Sequence, residues 1–261
     1  MQWWQMLILA VVQGITEFLP ISSDGHLVVV EHLIGMHTDM TEVNVLLHAG
    51  TLGSILVVYH RSILKLLSAD RRVLGLLAVG TIPVILVGVP LALFGKWIIE
   101  LPILAGLFLP LTGLMLLWIA GRDGTADYSQ LTYWQAFVIG AFQSLALLPG
   151  ISRSGSTIVA GLLVGLKRPE AATFSFLLAI PAIAMATGWE TLQLIVGRET
   201  PQTSLAMMVG GAVVAFVVGI AALSLLLRLL NRGKLHYFAY WCIPFGVAVF
   251  VWQCVVLLQS H

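Results

Sequence analysis

The stretch Gln13-Gly-Ile-Thr-Glu-Phe-Leu-Pro-Ile-Ser-Ser-Asp-Gly-His26 most constrains the fold, because it breaks an apolar run otherwise suited to crossing a membrane. Gln13 and Glu17 are four residues apart and therefore share one helix face. Pro20 ends that helix and biases Leu19 toward an extended backbone. Ser22, Ser23 and Asp24 are capping and turn residues, and Gly25 tolerates backbone shapes that others resist. His26 then opens a second apolar run that reaches Ile34. Polar groups within a membrane segment are costly, so by default they mark function.

The stretch has a counterpart 130 positions later. The shift places Gln13 on Gln143, Ile21-Ser22 on Ile151-Ser152, Gly25 on Gly155 and Gly35 on Gly165, with Val29 and Leu33 matching Val159 and Leu163. This register predicts an internal duplication, residues about 1–130 and 131–261, within a single membrane domain covering 1–261. Two interrupted helices in corresponding positions point to a binding site near the bilayer midplane.

Composition fixes the class. The chain is 59% hydrophobic and 10% charged, with mean hydropathy +0.99, whereas roughly a quarter of a soluble domain is charged. An all-α integral membrane protein follows; the net charge of +1 says nothing by itself about partners, and no nucleic acid is expected. The interrupted stretches read as helix–loop–helix pairs, 3–19 with 26–35 and 133–148 with 154–166. Their second arms have about half the length of a spanning helix, so both pairs are expected to be re-entrant hairpins. Such broken backbone is tolerated only where protein or a water-filled cavity satisfies it. Six spanning helices are expected at about 44–60, 73–94, 101–121, 170–196, 204–230 and 236–258, giving an inverted repeat. Trp3, Trp4, Trp97, Trp118, Trp134 and Trp189 fall near predicted ends, as an aromatic belt does. Cys242 and Cys254 lie over three turns apart in one run and cannot pair. The N-terminus lacks signal-peptide features and is expected to remain.

With this topology, ten of the 13 Lys and Arg residues share one face: Arg61, Lys65, Arg71, Arg72, Arg122, Lys167, Arg168, Arg228, Arg232 and Lys234. Lys96 and Arg198 fall on the other face and Arg153 stays inside. The positive-inside rule makes the basic face cytoplasmic, which puts both termini outside and lets the first hairpin enter from outside.

Arg153 is the sharpest chemical signal. A guanidinium flanked by Ser152, Ser154, Gly155 and Ser156 at a helix start suits an oxyanion, through its planar donor fork and the free N–H groups of the helix end. The plain alternative is a structural pair with Glu17, and a resting site accommodates both. His26 is read as a second helix start aimed at the same anion, with Gln13 and Glu17 beside it. Such a set suits phosphoryl transfer, in which Arg and helix ends stabilise charge while His or Ser attacks or handles protons. Glu17 with Gln13 can hold a divalent cation, Mg2+ or Ca2+, that bridges phosphate oxygens. The remaining histidines (His32, His37, His48, His60, His236, His261) are expected at loops or interfaces, with His48 the one to watch.

Gln13-x-x-x-Glu17 running through Pro-Ile-Ser-Ser23-Asp-Gly-His26, followed by Pro149-Gly-Ile-Ser-Arg153-Ser-Gly155, resembles the two signatures of the bacterial undecaprenyl pyrophosphate phosphatase family. The resemblance extends over essentially the whole chain. It implies an enzyme of the bacterial plasma (inner) membrane that removes the terminal phosphate of undecaprenyl diphosphate, recycles the carrier for peptidoglycan and envelope synthesis, and is associated with bacitracin resistance. It also implies interlocked inverted repeats, a site open to the periplasmic side, and catalytic roles for Glu17, Ser23, His26 and Arg153. Gln13, Ser22, Gly25, Ser152, Ser154, Gly155 and Ser156 are the expected substrate contacts. One departure stands out. Asp24 occupies a place expected to hold a small Ser or Thr; Gln13 is one of the two residues the Glu/Gln-x-x-x-Glu pair allows and takes away one potential metal charge.

The expected partners are the polyprenyl diphosphate, membrane lipids and, as an open choice, a second copy of the chain. Ser23, His26 and an activated water all stay open as the attacking group. The rival from another class is a transporter or flippase that moves a polyprenyl phosphate without hydrolysis, since inverted repeats with broken helices are also transporter architecture.

Overall fold

The computed structural model describes residues 1–36, 41–68, 70–95, 101–197 and 203–259. The described residues form eleven α-helices and no strand. They are α1 (Trp3–Thr16), α2 (Ser23–Leu33), α3 (Thr41–Val58), α4 (His60–Ser68), α5 (Arg71–Phe94), α6 (Pro102–Trp118), α7 (Tyr133–Leu145), α8 (Arg153–Leu163), α9 (Arg168–Gly197), α10 (Leu205–Asn231) and α11 (Ala239–Gln259). Single 3-10 turns, Tyr128–Gln130 and Leu235–Phe238, lead toward α7 and α11.

Five helical segments are long and apolar enough to cross a membrane: α3, α5, Arg168–Val196 of α9, α10 and Leu235–Gln259. The sixth expected span, 101–121, is shorter. Ile119 caps α6 and Gly121 turns the chain at φ +78, leaving 17 residues. That is about 26 Å at 1.5 Å per residue, against a hydrocarbon core of about 30 Å. The arms α1, α2, α7 and α8, of 14, 11, 13 and 11 residues, are shorter still. Pro83 and Pro90 sit within α5 as expected. Trp3, Trp4, Trp118, Trp134 and Trp189 are exposed on the apolar surface, whereas Trp97, Lys96, Arg198, His37 and His261 lie outside the described residues. Cys242 and Cys254 are both free.

Helix α2 begins at Ser23, three residues before the expected start at His26, because the Ser22 hydroxyl accepts the Gly25 N–H and caps it. The same device starts α8, where Ser152 Oγ accepts the Gly155 N–H at 3.2 Å. Both helices are 11 residues long, and their bounds differ by the 130 positions found in the sequence.

The packing is reciprocal. In the first half α1 lies along α10, and in the second half α7 lies along α5. Small residues allow this approach: a Cβ on Gly140 of α7 would run into the Gly80 carbonyl of α5, and one on Gly14 of α1 would lie 2.9 Å from the Ala215 oxygen of α10. In lipid, where no hydrophobic effect draws helices together, such close backbone contact supplies the van der Waals attraction that does. Helix α3 packs between α10 and α9, and α6 runs along α11. The larger buried cluster contains Phe18, Phe174 and Phe176 and takes in Leu19 and Ile21 of the first polar break.

Candidate active site

The two breaks are tied to one another in the interior. Ser22 adopts φ +67, a conformation that costs a non-glycine residue on the order of 1–3 kcal/mol. Its hydroxyl helps hold it there by also accepting the Gly150 N–H at 3.2 Å, 128 residues away. Buried Thr112 of α6 donates its hydroxyl to the Gly150 carbonyl at 2.8 Å and accepts the Ser152 N–H at 3.1 Å. Gly150 itself has φ +96, and a Cβ there would lie 2.6 Å from the Ala105 oxygen. Only glycine meets both demands. Ser154 Oγ closes the seam by donating to the Leu19 carbonyl at 3.4 Å.

Glu17 is the hub of this seam. It follows α1 directly, is 7% exposed, and both carboxylate oxygens are engaged. Arg153 Nη2 donates to Oε1 at 2.5 Å. Oε2 accepts from Gln13 Nε2 and from the Ser23 hydroxyl, each at 3.1 Å. His48 Nε2 of α3 lies 3.7 Å from the same oxygen. A carbonyl can only accept, so the 2.8 Å contact of His48 Nδ1 with the Asn44 oxygen puts the proton on Nδ1. Nε2 is the nitrogen left toward Glu17, and a proton there would make the contact an ion pair. The guanidinium of Arg153 rests over the Phe176 ring at 5.9 Å, and its Nη1 has no partner among the described residues.

A cavity of about 520 Å³ opens on this cluster, within the usual range for a small-molecule site. Its polar end is lined by Glu17, Ser22, Ser23, Asp24, His48, Gln143, Ser152 and Arg153. Its other end is a largely apolar slot between the C-terminal halves of α5 (Val84 to Leu93) and α9 (Ala182 to Glu190), with Thr187 and Glu190 as the polar residues of that wall. A charged head and a hydrocarbon chain can occupy one continuous space.

Not every expected site residue faces that space. Gln13, Glu17, Ser22, Ser23, Ser152 and Arg153 gather around the hub or line the cavity. His26 does not line it. Its Nδ1 donates to the Ser22 carbonyl at 2.8 Å, its Nε2 accepts the Trp241 indole N–H at 2.9 Å, and its ring stacks on Phe245 at 4.4 Å. Both nitrogens are thus committed to structure, so the reading of His26 as a helix start aimed at the anion does not describe its position. Gly25 and Gly155 donate their N–H groups to the caps. Ser154 and Ser156 are buried within the hairpin and absent from the cavity wall.

The family described as "Bacitracin resistance protein BacA" matches residues 6–248. The chain belongs to the BacA family. Among its relatives is an undecaprenyl-diphosphatase of Rhodopirellula baltica, 49% identical over 94% of this chain and 96% of its own length. Another of that name, from Desulfatibacillum aliphaticivorans, is 37% identical over 96% of this chain and 99% of its own. A third, from Desulfosudis oleivorans, is 38% identical over 93% and 95%.

In this BacA-family chain two cavity residues carry little signal in the sequence. His48 lies in an apolar helix, and only the packing of α3 against α1 and α10 turns it toward Glu17. Gln143 was visible as the repeat partner of Gln13, yet no local pattern placed it in the wall of the same cavity.

Proposed function

We propose that this chain hydrolyses undecaprenyl diphosphate to undecaprenyl phosphate and inorganic phosphate. The observation that carries the reading is one cavity with a Ser23–Glu17–Arg153 cluster at one end and an apolar slot at the other. In this reading the slot takes the first part of the lipid chain, and Arg153 Nη1 receives a phosphate oxygen while Nη2 stays on Glu17. Ser23 Oγ attacks the terminal phosphorus and its proton passes to Glu17 Oε2. The bond from that phosphorus to the bridging oxygen breaks, and undecaprenyl phosphate leaves. Water then cleaves the phosphoserine, releasing inorganic phosphate and restoring the hydroxyl. The position of His26 favours Ser23 over the imidazole as nucleophile. His26 holds the Ser22 turn in place, and His48, with Nε2 3.7 Å from Glu17 Oε2, is the imidazole nearest the proton acceptor.

A divalent cation fits the donor set. Glu17 and Asp24 both border the cavity, and the Gln13 Oε1 is buried without a partner. These are hard oxygen ligands, although the described residues hold no cluster of three or more His, Cys, Asp or Glu. Mg2+ is typically held by one or two carboxylates together with substrate phosphates; here it would neutralise charge on the diphosphate.

We place the site on the outer side of the plasma membrane, with both termini outside and the two short-armed pairs as re-entrant hairpins. In support, α5 and α9 start at the basic positions Arg71-Arg72 and Lys167-Arg168, while the cavity borders their opposite halves. The test is phosphate release from undecaprenyl diphosphate by purified protein in detergent. Wild type should turn over and Ser23→Ala should lose at least a hundredfold in rate. Full activity in Ser23→Ala would refute the serine route, and no release by wild type would return the transporter reading.

A further inference from the structure

Gln13 and Gln143 occupy equivalent positions in the two halves, yet their surroundings differ. The Gln13 amide donates to Glu17, four residues on along α1. The residue four positions after Gln143 is Leu147, which offers nothing to a carboxamide. Gln143 is 2% exposed, and neither its Oε1 nor its Nε2 has a hydrogen-bond partner among the described residues. Because both atoms are unpartnered, the amide orientation does not matter. The side chain borders the same cavity as Glu17, Ser23 and Arg153.

A buried amide left unsatisfied is strongly unfavourable, and native proteins leave few of them. An apolar residue of similar size would be the stable choice there, and Leu147, just past the end of α7, lines the same wall. Around the cavity, Arg153 Nη1 is likewise without a partner. Gln143 and Arg153 line one cavity, and the guanidinium arm and the amide N–H2 are donors that no acceptor among the described residues meets, with the amide oxygen unmet beside them. The missing acceptor is a tetrahedral oxyanion. The amide N–H2 donates to a non-bridging phosphate oxygen, and the amide oxygen accepts from a P–OH or from water held by the phosphate.

We infer that Gln143 is a headgroup-binding residue that grips a phosphate of the substrate from the side opposite the first hairpin. The inference rests on the reading that the Arg153 cavity is the headgroup site. It assigns the second half of the chain a ligand contact beyond its arginine motif. The second glutamine has thus exchanged a partner within the protein for one on the substrate.

The experiment compares wild type, Gln143→Leu, Gln143→Asn and Arg153→Lys in detergent. It measures steady-state hydrolysis of undecaprenyl diphosphate, inhibition by inorganic phosphate and by undecaprenyl phosphate, and the thermal unfolding midpoint with and without each product. Gln143→Leu should unfold no earlier than wild type without ligand, since it removes an unsatisfied group. Its KM should rise about tenfold, the value of one good hydrogen bond, with kcat changed less than threefold. Inhibition and thermal stabilisation by one product should weaken in parallel. Loss of the inorganic phosphate effect assigns Gln143 to the terminal phosphate, and loss of the undecaprenyl phosphate effect assigns it to the lipid-borne one. If Gln143→Leu unfolds early, Gln143→Asn carries the comparison, because it keeps a polar amide but draws it back by one methylene. Unchanged KM and product inhibition in the folded variant, with Arg153→Lys impaired, overturns the role of Gln143 alone. If neither variant changes product binding, the cavity is not the headgroup site and both readings fall.

Discussion

Arg153→Lys gives the most discriminating perturbation of the hub. The guanidinium has two terminal nitrogens in different situations: Nη2 is fixed on Glu17 Oε1 at 2.5 Å, and Nη1 is unpartnered. A planar fork can serve carboxylate and phosphate together, whereas an ammonium is a point charge on a flexible stem. Lysine at 153 can keep Glu17 company or reach the phosphate, but it cannot present both contacts in one plane. Losing one preorganised donor to developing charge typically costs about 2.7–4 kcal/mol, or 10²–10³ in kcat. The fold should survive, because Glu17 keeps a cation within reach. Arg153→Ala is the contrast. It leaves a buried carboxylate without its cation, a defect of about 3–5 kcal/mol, so it should lower the thermal midpoint as well as the rate. The assay is phosphate release at saturating lipid diphosphate, with thermal unfolding followed in the same detergent. An Arg153→Lys enzyme with kcat within threefold of wild type would sink the fork argument. So would a variant that loses stability as severely as Arg153→Ala, since the arginine would then be chiefly structural.

Three further outcomes are expected. Ser23→Ala and Arg153→Ala act on one transition state, so the double variant should be scarcely slower than the worse single one; losses that multiply would mean that the hairpins work separately. Thr112→Val preserves shape but orphans the Gly150 carbonyl and the Ser152 N–H. At about 1–3 kcal/mol for each buried unsatisfied group, it should lower the thermal midpoint well beyond a surface control such as Ser129→Ala. An unshifted midpoint would show that the seam does not depend on this hydroxyl. A cysteine placed at Lys96 or Arg198 should react with an impermeant thiol reagent on intact cells, and one at Arg71 or Arg232 only after permeabilisation. The reverse pattern would put the cavity on the cytoplasmic side.

Much of this was legible in the chain itself, and the remainder has identifiable causes. The polar break at 17–22 and the return of Ser22-x-x-Gly25 as Ser152-x-x-Gly155 are local signals, and the helix starts at Ser23 and Arg153 follow from them. Helix α2 starts three residues before the apolar run does: Ser23, Asp24 and Gly25 look like turn residues, but the cap at Ser22 draws them into the first helical turn. The position of His26 has a different cause. Its surroundings are Trp241 and Phe245 of α11, more than two hundred residues away, and no pattern near position 26 announces them. The shorter α6 escaped because apolar character continues to Ile119 and Ala120, while Gly121 ends the regular backbone. His48 and Gln143 share a cause: a lone polar residue in an apolar helix acquires meaning only from the helix opposite.

The reciprocal packing of α1 on α10 and α7 on α5 also governs how the protein must be made. Glu17 is synthesised 136 residues before Arg153, an interval of roughly 7 to 27 seconds at 5–20 residues per second. Throughout it, α1 stands without α10 and the carboxylate without its cation. Neither half therefore owns a finished interior while the other is missing, and the first hairpin can settle only after the last third of the chain has joined the bilayer. A ribosome that stops after α6 leaves behind an unfinished object rather than a smaller domain, one whose polar turn quality-control proteases can find.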